Sequence, residues 1–274
     1  MTSPASPDIP FPDTLSPGTP APEAELRGRT ALVTGSSRGI GRAIAVLFAR
    51  RGAAVVLHGR DGTALTEVHD QITAEGGRAV TVTADVTDAR DVERLREQAE
   101  EALGSPDVLV VNAGGSPVRP GPIEDITEDD WRVSVEANLT ATFLTVKAFL
   151  PGMKRRGSGS IITMSSAAAR RPYPGAPVAY AAAKAGVELF TKALATQAGP
   201  FGVRANCLAP ETILTERNEQ QIPPDLQEQL VAAHPLRRLG IPLDVAAAAL
   251  FLATDQSAWI TGVVLDVAGG AVLV

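Results

Sequence analysis

The sequence holds little of what several classes of protein require. Its single cysteine, Cys207, excludes an intrachain disulfide and predicts a reducing, cytoplasmic location. Its three histidines are scattered without acidic or cysteine partners at ligand spacing, which argues against a structural metal site. No uncharged apolar run approaches the roughly 18 residues of a membrane helix, and no secretory signal opens the chain.

The sequence also has fewer basic than acidic residues, with 25 lysines and arginines against 31 aspartates and glutamates. The formal net charge of the 274 residues is −6, which argues against a nucleic acid or an anionic membrane as the main partner. A pocket for a small anionic molecule is compatible with this balance. The sequence therefore favours a protein that works on a small molecule.

Short apolar runs alternate with amphipathic stretches from Gly28 onward. Strands are predicted at residues 31–34, 53–58, 79–83, 108–111, 160–164, 203–208 and 263–267. Helices are predicted from residue 39, over 61–75, from a cap at Thr87 to 103, from a Thr127–Asp130 capping box towards Lys154, and over 178–198 and 242–253. Apolar strands separated by helices are typical of a parallel sheet covered on both faces. We therefore predict one doubly wound α/β domain over residues 27–274, with seven strands.

The first 26 residues differ from the rest of the chain. They are rich in proline, with serine and threonine between the prolines. Proline removes backbone donors, and the segment has few apolar side chains with which to join a core. A disordered or polyproline-like tail is predicted over residues 1–26.

A glycine-rich turn lies between the first predicted strand and the first helix, in the order Thr34-Gly35-Ser36-Ser37-Arg38-Gly39-Ile40-Gly41. Glycines let such a turn close and let its backbone approach a pyrophosphate, which then meets the helix N-terminus. Because a strand precedes the turn and a helix follows it, the segment predicts a dinucleotide site. Its candidate contacts are Gly35, Ser37, Arg38, Gly39, Ile40 and Gly41.

The end of the second strand bears on the choice of cofactor. Folds that prefer NAD place an acidic residue about 20 positions after the glycine turn, where it binds the ribose 2′-hydroxyl. Here Gly59 takes that place and Arg60 follows, while Arg38 lies inside the glycine turn. Two guanidinium groups suit a 2′-phosphate, so NADP(H) is favoured over NAD(H). The competing interpretation is that both arginines are solvated, with Asp61 near the ribose.

Tyr180 and Lys184 lie four residues apart and share one face of a predicted helix. The reference pKa of tyrosine is about 10, which makes it a poor base near neutrality. A neighbouring ammonium favours the phenolate and lowers that pKa, as proton exchange with a substrate oxygen requires. Taken alone, such a pair is usually an ordinary surface contact.

The motifs taken together resemble the short-chain dehydrogenase/reductase family, in its single-domain branch of 3-oxoacyl-carrier-protein reductases and ketone reductases. The resemblance covers roughly residues 28–270. It rests on Thr34–Gly41, Asp85-Val86, Asn112-Ala113-Gly114, Asn138, Ser165-Ser166, Tyr180–Lys184 and Ile260-Thr261-Gly262. It implies a Rossmann-like fold and hydride transfer between a nicotinamide dinucleotide and a carbonyl or secondary alcohol.

The resemblance also implies a role for each matching residue. Asp85 and Val86 would contact the adenine, and Asn112, Ala113 and Gly114 would line the cofactor ribose. Asn138 would bend its helix and carry a water chain from Lys184 to solvent. Ser166 would hold the substrate oxygen, Tyr180 would exchange the proton and Lys184 would also grip the nicotinamide ribose. A homotetramer is implied as well, with an interface of the helices around 140–154 and 178–198 and the small residues Ala181, Ala182, Ala183, Ala185 and Gly186.

Three departures from the family pattern leave alternatives open. Val111 stands where asparagine is frequent, and Glu211 stands where glycine usually follows proline. The spacing from Ser166 to Tyr180 is one residue longer than usual, so Ser165 is an alternative to Ser166. Residues 211–236 are either a lid over the substrate, as in the family, or a plain surface helix pair. Arg170 and Arg171 are either solvated or contacts for an acidic substrate.

Two other functions compete with an NADP(H)-dependent oxidoreductase. One is a catalytically silent dinucleotide-binding protein that acts as a sensor or scaffold. Intact Asn138, Ser166, Tyr180 and Lys184 speak against it, because a silent relative is free to lose them. The other is a lyase or epimerase on the same fold. A sequence does not identify the substrate, because loops build the pocket.

Overall fold

A computed structural model describes residues 24–172 and 177–273. The strands are β1 (Thr30–Thr34), β2 (Ala54–Gly59), β3 (Arg78–Thr83), β4 (Val108–Val111), β5 (Gly159–Met164), β6 (Val203–Pro210) and β7 (Val264–Val267). The helices are α1 (Gly39–Arg50), α2 (Gly62–Ala74), α3 (Ala89–Leu103), α4 (Glu128–Val135), α5 (Ala141–Arg156), α6 (Ala167–Arg170), α7 (Val178–Ala198), α8 (Glu216–Gln221), α9 (Pro224–Ala233) and α10 (Pro242–Ala253). None of these helices combines the length and apolarity that crossing a membrane requires.

All seven strands pair in parallel in the order β3-β2-β1-β4-β5-β6-β7. The strand order reverses between β1 and β4, which opens a crevice beyond their carboxyl ends. The predicted doubly wound α/β fold is confirmed, with helices on both faces of the sheet.

The strands are apolar throughout because they bury both faces. Val33 packs into one core with Phe48 of α1 and residues of α10. Its neighbour Leu32 points to the opposite face and packs with Phe149 of α5 and residues of α3. Side chains alternate between faces along a strand, so a strand between two helix layers needs apolar residues at every position.

The last residue of the predicted tail, Leu26, packs into the core of the domain. Residues 1–23 lie outside the described part of the chain, but Leu26 is fully buried in the core. Its N–H also donates to the carbonyl of Arg51 at 2.9 Å. The boundary was wrong because one isolated leucine beside a proline-rich stretch gives no periodic signal.

Two helix starts test the capping predictions. Thr127 and Asp130 form the predicted capping box at the start of α4. The predicted cap at Thr87 is wrong, since Asp88 caps α3 by accepting from the N–H groups of Arg90 and Asp91. The Thr87 hydroxyl is instead 2.7 Å from the carboxylate of Asp85, to which it donates.

The helix predicted from Thr127 to Lys154 is not continuous. A π-helical turn at Glu136–Thr140 separates α4 from α5. Such turns are rare and occur mostly inside α-helices at functional sites. The apolar periodicity on either side gave no indication of the interruption.

Candidate active site

The glycine turn is shaped by close backbone approach. Gly35 and Gly39 have φ of +67° and +55°, a region that favours glycine. A Cβ at Gly41 would lie 2.1 Å from the carbonyl oxygen of Gly35, so no other residue fits there without a shift of the backbone. Arg38 precedes α1 and makes no capping bond through its side chain to any described residue. The first N–H groups of α1 can therefore bind an anion.

The turn after β4 is tied to the glycine turn. The hydroxyl of Thr34 accepts from the N–H groups of Asn112 and Ala113, both at 3.0 Å. The side-chain amide of Asn112 donates to the carbonyls of Thr34 and Gly35 at 3.0 and 3.2 Å. The structure shows that Asn112 holds the glycine turn, while its predicted place beside the cofactor ribose stays a prediction.

His58, at the end of β2, supports the same turn from below. Burial lowers the pKa of His58 to about 4, so the ring is neutral near pH 7. Its Nδ1 accepts from the N–H of Gly35 at 3.3 Å, and its Nε2 donates to the carbonyl of Ala84 at 3.1 Å. The sequence analysis missed this residue. Its place at the carboxyl end of a strand was the only available signal.

The groups expected to bind the adenosine part of the cofactor lie at the carboxyl ends of β2 and β3. Gly59 and Arg60 follow one another there, Gly59 buried and Arg60 exposed. Arg38 pairs with Asp61 at 3.1 Å, and Asp61 also caps α2 by accepting from the N–H of Ala64. One of the two predicted phosphate ligands is thus already engaged by a carboxylate.

Asp85 and Val86 follow β3, where the adenine contacts were predicted. Oδ1 of Asp85 accepts from the N–H and the hydroxyl of Thr87, at 2.9 and 2.7 Å. These hydrogen bonds hold the pKa of Asp85 below its ordinary value. The carboxylate is therefore ionised and fixed at neutral pH, and Val86 beside it is buried.

Asn138 lies in the π-helical turn and is fully buried. Its side-chain amide donates to the carbonyls of Ser134 and Gly115 at 2.9 and 2.8 Å. Its Oδ1 accepts from the N–H of Gly115 at 3.0 Å. Asn138 thus fixes the turn after β4 to the helix pair α4 and α5.

Lys184 is buried close to Tyr180. Its ammonium donates to the carbonyl of Met164, at the end of β5, at 2.8 Å, and lies 5.6 Å from the centre of the Tyr180 ring. A Cβ at Gly114 would come within 2.7 Å of the Asn138 oxygen and 3.4 Å of Lys184 Nζ. Burial lowers the pKa of Lys184 from 10.5 to about 8. The structure therefore brings Asn138, Gly114, Tyr180 and Lys184 together at the carboxyl ends of β4 and β5.

The two serines after β5 point in different directions. Ser165 is buried, and its hydroxyl lies 2.7 Å from a carboxylate oxygen of Glu188 and 3.2 Å from the carbonyl of Lys184. Ser166 is partly exposed and caps α6 by accepting from the N–H of Ala168 at 3.2 Å. A hydroxyl that accepts can still donate, so Ser166 keeps a donor, and the choice of Ser166 over Ser165 as the substrate contact stays a prediction.

Arg170 is not a solvated surface residue, and the simpler interpretation of the sequence is wrong for it. It pairs with Glu188 of α7 and with Asp266 of β7, each at 3.1 Å, and all three side chains are mostly buried. Both carboxylates accept from its guanidinium, which is therefore committed to the fold. Arg171 is exposed.

Glu211, the departure from the family pattern, is bound to a histidine. Its carboxylate lies 2.7 Å from Nε2 of His234 and also accepts from the N–H of Thr212. His234 is buried and ends α9. The region 211–236 thus contains the surface helices α8 and α9, and the pair joins its two ends. Whether it covers a substrate stays a prediction.

Comparisons with known proteins agree with this geometry. A family model described as enoyl-(acyl carrier protein) reductase matches residues 35–272. The chain is 35% identical to 7α-hydroxysteroid dehydrogenase of Escherichia coli over 247 residues, which covers 90% of this chain and 95% of that protein.

Two solved structures are also similar. One is a 7α-hydroxysteroid dehydrogenase in complex with NADH and 7-oxoglycochenodeoxycholic acid, with a TM-score of 0.87, 35% identity and coverage of 91% and 96%. The other is a 3-oxoacyl-[acyl-carrier protein] reductase from Brucella melitensis with bound NAD, with a TM-score of 0.84, 35% identity and coverage of 94% and 97%. All of these matches span nearly the whole described chain.

Proposed function

The chain belongs to the short-chain dehydrogenase/reductase family, and we propose that it transfers a hydride between NADP(H) and a carbonyl or secondary-alcohol substrate. The observation that carries this proposal is the buried ammonium of Lys184 beside the Tyr180 ring. Burying a cation in this way is unfavourable for folding, and strongly shifted groups in clefts are characteristic of functional sites. Tyr180, the residue assigned as acid and base, is adjacent to this ammonium.

The reaction divides among four side chains. Ser166 donates a hydrogen bond to the substrate oxygen, and Tyr180 gives a proton to that oxygen in reduction or removes it in oxidation. Lys184 favours the ionised form of the phenol and binds the nicotinamide ribose. Asn138 holds the surrounding turn and, as the family resemblance implies, leads a water chain from Lys184 to solvent. These groups together stabilise the negative charge that develops on the oxygen.

The residues around the crevice fit a dinucleotide. A pyrophosphate is matched by the close approach of Gly35 and Gly41 and by the uncapped start of α1. An adenine is matched by the fixed carboxylate of Asp85. The bound cofactor supplies or accepts the hydride. The chain would hold it through Gly35, Ser37, Arg38, Gly39, Ile40, Gly41, Arg60, Asp85, Val86, Asn112, Ala113, Gly114, Tyr180 and Lys184.

NADP(H) is preferred over NAD(H) in this proposal. Gly59 provides no carboxylate for a ribose 2′-hydroxyl, and the next residue, Arg60, is exposed and carries a guanidinium, which suits a 2′-phosphate. The competing group is Asp61, which holds Arg38 at 3.1 Å. Asp61→Asn keeps a capping side chain but releases Arg38, so it should tighten NADPH binding and leave NADH binding nearly unchanged. Equal tightening of both would argue against a 2′-phosphate site.

The oxidoreductase activity is tested by label transfer. Purified protein, NADPH deuterated at C4 and a panel of ketones should yield deuterated alcohols, accompanied by loss of NADPH absorbance. Tight NADPH binding without transfer to any ketone, and without oxidation of the matching alcohols by NADP⁺, would favour a sensor or scaffold. Turnover that retains the label in the cofactor would favour a lyase or epimerase.

The assembly is a homotetramer in this proposal, through an interface that includes α5 and α7. Phe143 on α5 and Leu189 on α7 are 44% and 70% exposed, and Ala182 and Ala185 are exposed on the same helix as Leu189. Ala183 is instead buried within its own chain, and Gly186 packs against Leu139. Sedimentation should show tetramers that Leu189→Asp dissociates. A wild-type monomer at micromolar concentration would contradict the proposal.

A further inference from the structure

Residues 211–236 join β6 to α10 and have almost no core of their own. No described side chain between Ile213 and His234 is buried. The segment is therefore held mainly at its two ends. There Ile213 bridges to Gly240, and the N–H of Leu214 donates to the carbonyl of Gly240 at 2.7 Å.

The first of these ends lies over the glycine turn. The methyl group of Thr215, which precedes α8, would lie 3.2 Å from a Cβ placed on Gly39. Gly39 begins α1, where the pyrophosphate is proposed to bind. The base of the segment therefore adjoins Thr215, the residue that lies over this position.

The Glu211–His234 pair joins the two ends of the segment, and its hydrogen bonds require an additional proton. Nε2 of His234 faces the carboxylate of Glu211 at 2.7 Å, and its Nδ1 faces the carbonyl of Leu230 at 2.6 Å. A carbonyl and a carboxylate only accept, whereas a neutral imidazole has one N–H. Both contacts are hydrogen bonds only when the pair holds an additional proton, as imidazolium and carboxylate or as imidazole and carboxylic acid. Loss of that proton sets two lone pairs against each other.

We propose that Glu211 and His234 are positioning residues that clasp the base of segment 211–236 through the contact between their side chains. The effect on turnover rests on the proposed function, but the clasp itself does not.

Other charged groups near the pair are directed elsewhere. Glu228 of α9 is exposed. After His234, Arg237 donates to the carbonyl of Ala232, and Arg238 pairs with Asp244. The C-terminal segment that packs on the ring contributes Gly269, and residues 268–272 contain no titratable side chain. Asp266, just before this segment, pairs with Arg170.

Proteolysis measures the clasp without any need for turnover. Arg217 on α8 is exposed and is the sole lysine or arginine between Arg204 and Arg237, so trypsin cleavage there reports opening of the segment. Glu211→Gln should be cut at Arg217 about 5- to 30-fold faster than wild type at pH 6.5, the factor that one or two kcal/mol represents. The rates are corrected with a peptide substrate. The matched control Glu228→Gln removes a carboxylate from the same segment and should behave as wild type.

The protonation state is measured directly by nitrogen-15 NMR of labelled histidine. The chain has three histidines, and the signal missing in His234→Asn identifies His234. In the observed geometry Nδ1 should carry a proton, and a second proton should lie between Nε2 and its carboxylate partner. Glu211→Gln cut at the wild-type rate, or a His234 ring without a proton on Nδ1, would overturn the proposal. If Glu211→Gln does not fold, the cleavage rate of His234→Asn decides.

Kinetics separate this proposal from the proposed function. Glu211→Gln should raise KM for NADPH more than it lowers kcat, because Thr215 of the segment lies over Gly39 and the reacting groups are untouched. A protein that reduces no carbonyl would refute the proposed function, while proteolysis would still decide the clasp. Turnover with a KM unaffected by Glu211→Gln and His234→Asn would refute the clasp alone.

Discussion

The buried polar groups on the two sides of the crevice are satisfied in different ways. Beneath the glycine turn, both nitrogens of His58 and the amide of Asn112 are bonded to backbone groups within the protein. On the other side, Lys184 carries three donors, and the described protein supplies an acceptor for one of them, the carbonyl of Met164. The first arrangement is closed, whereas the second retains hydrogen-bonding capacity for a ligand.

This difference matches what each side is proposed to do. The glycine turn has to keep one shape, and groups paired within the protein maintain it without a ligand. In the proposed reaction the phenol of Tyr180 gives up or takes a proton. The ammonium of Lys184 beside it is buried, which makes that ammonium easier to deprotonate than one in water. The lowered pKa of Lys184, about 8, is the measurable sign of that arrangement.

The largest expected effect is that of Lys184→Met. Turnover should fall by at least about 100-fold, since the cation that supports the phenol is lost. Folding stability at pH 7 should nevertheless rise by the order of a few kcal/mol, because about 1.4 kcal/mol accompanies each tenfold change in proton affinity. Thermal unfolding and steady-state rates measure the two effects.

The stability gain should depend on pH in one direction. The folded chain has a lower Lys184 pKa than the unfolded chain, about 8 against 10.5, so burial is fully unfavourable below pH 8 and ceases to be so above 10.5. The advantage of Lys184→Met should shrink across that window. Lys192→Met, an exposed lysine on the same helix, should change neither property. A Lys184→Met variant that is less stable than wild type at pH 7 would contradict the difference drawn between the two sides of the crevice.

Gly41→Ala tests the closed side and should weaken cofactor binding by about tenfold or more. Alanine normally stabilises a helix, but here its Cβ would lie 2.1 Å from the Gly35 carbonyl, and overpacking typically costs about 1–3 kcal/mol. Gly62→Ala at the start of α2 is the matched control, with its nearest contact at 3.6 Å from Thr83. Calorimetry with NADPH should show the loss in Gly41→Ala alone. Equal affinities would mean that the turn is not the pyrophosphate site.

A smaller effect is expected at the rim of the closed side. Arg60→Asp should reverse the cofactor preference, by about tenfold in the ratio of affinities, because it removes an anion partner and adds a repulsive carboxylate. Arg90→Asp makes the same charge change on an exposed residue of α3 and is the control. Dissociation constants for NADPH and NADH give the ratio. A wild type that binds NADH as tightly as NADPH would show that the argument from two arginines is wrong.

The sequence was sufficient for the fold because the fold depends on local pattern. Apolar runs at β1 to β7 and one-sided apolar helices carry their periodicity within a few residues, so the elements were predicted closely. Most of the proposed site residues sit at strand ends and helix starts, which the same pattern locates, whereas Asn138 lies in the π-helical turn and was assigned through the family resemblance. Leu26 was missed because it lacks such a pattern.

Contacts between distant residues could not be predicted. His58 supports Gly35 across 23 positions, and Arg170 reaches Asp266 across 96. Glu211 was recognised only as an unusual residue, and nothing nearby indicated that His234 would meet it. Such pairs form when elements pack in three dimensions, and a single sequence carries no sign of them.

Tyr180→Phe, compared with wild type on one ketone, tests the central claim most directly. The change keeps the ring and removes the hydroxyl that exchanges the proton. Positioned acid–base groups contribute about 10²- to 10⁴-fold in rate, so transfer of deuterium from labelled NADPH to the ketone should fall by that order while NADPH affinity stays near the wild-type value. Full transfer by Tyr180→Phe would contradict the account.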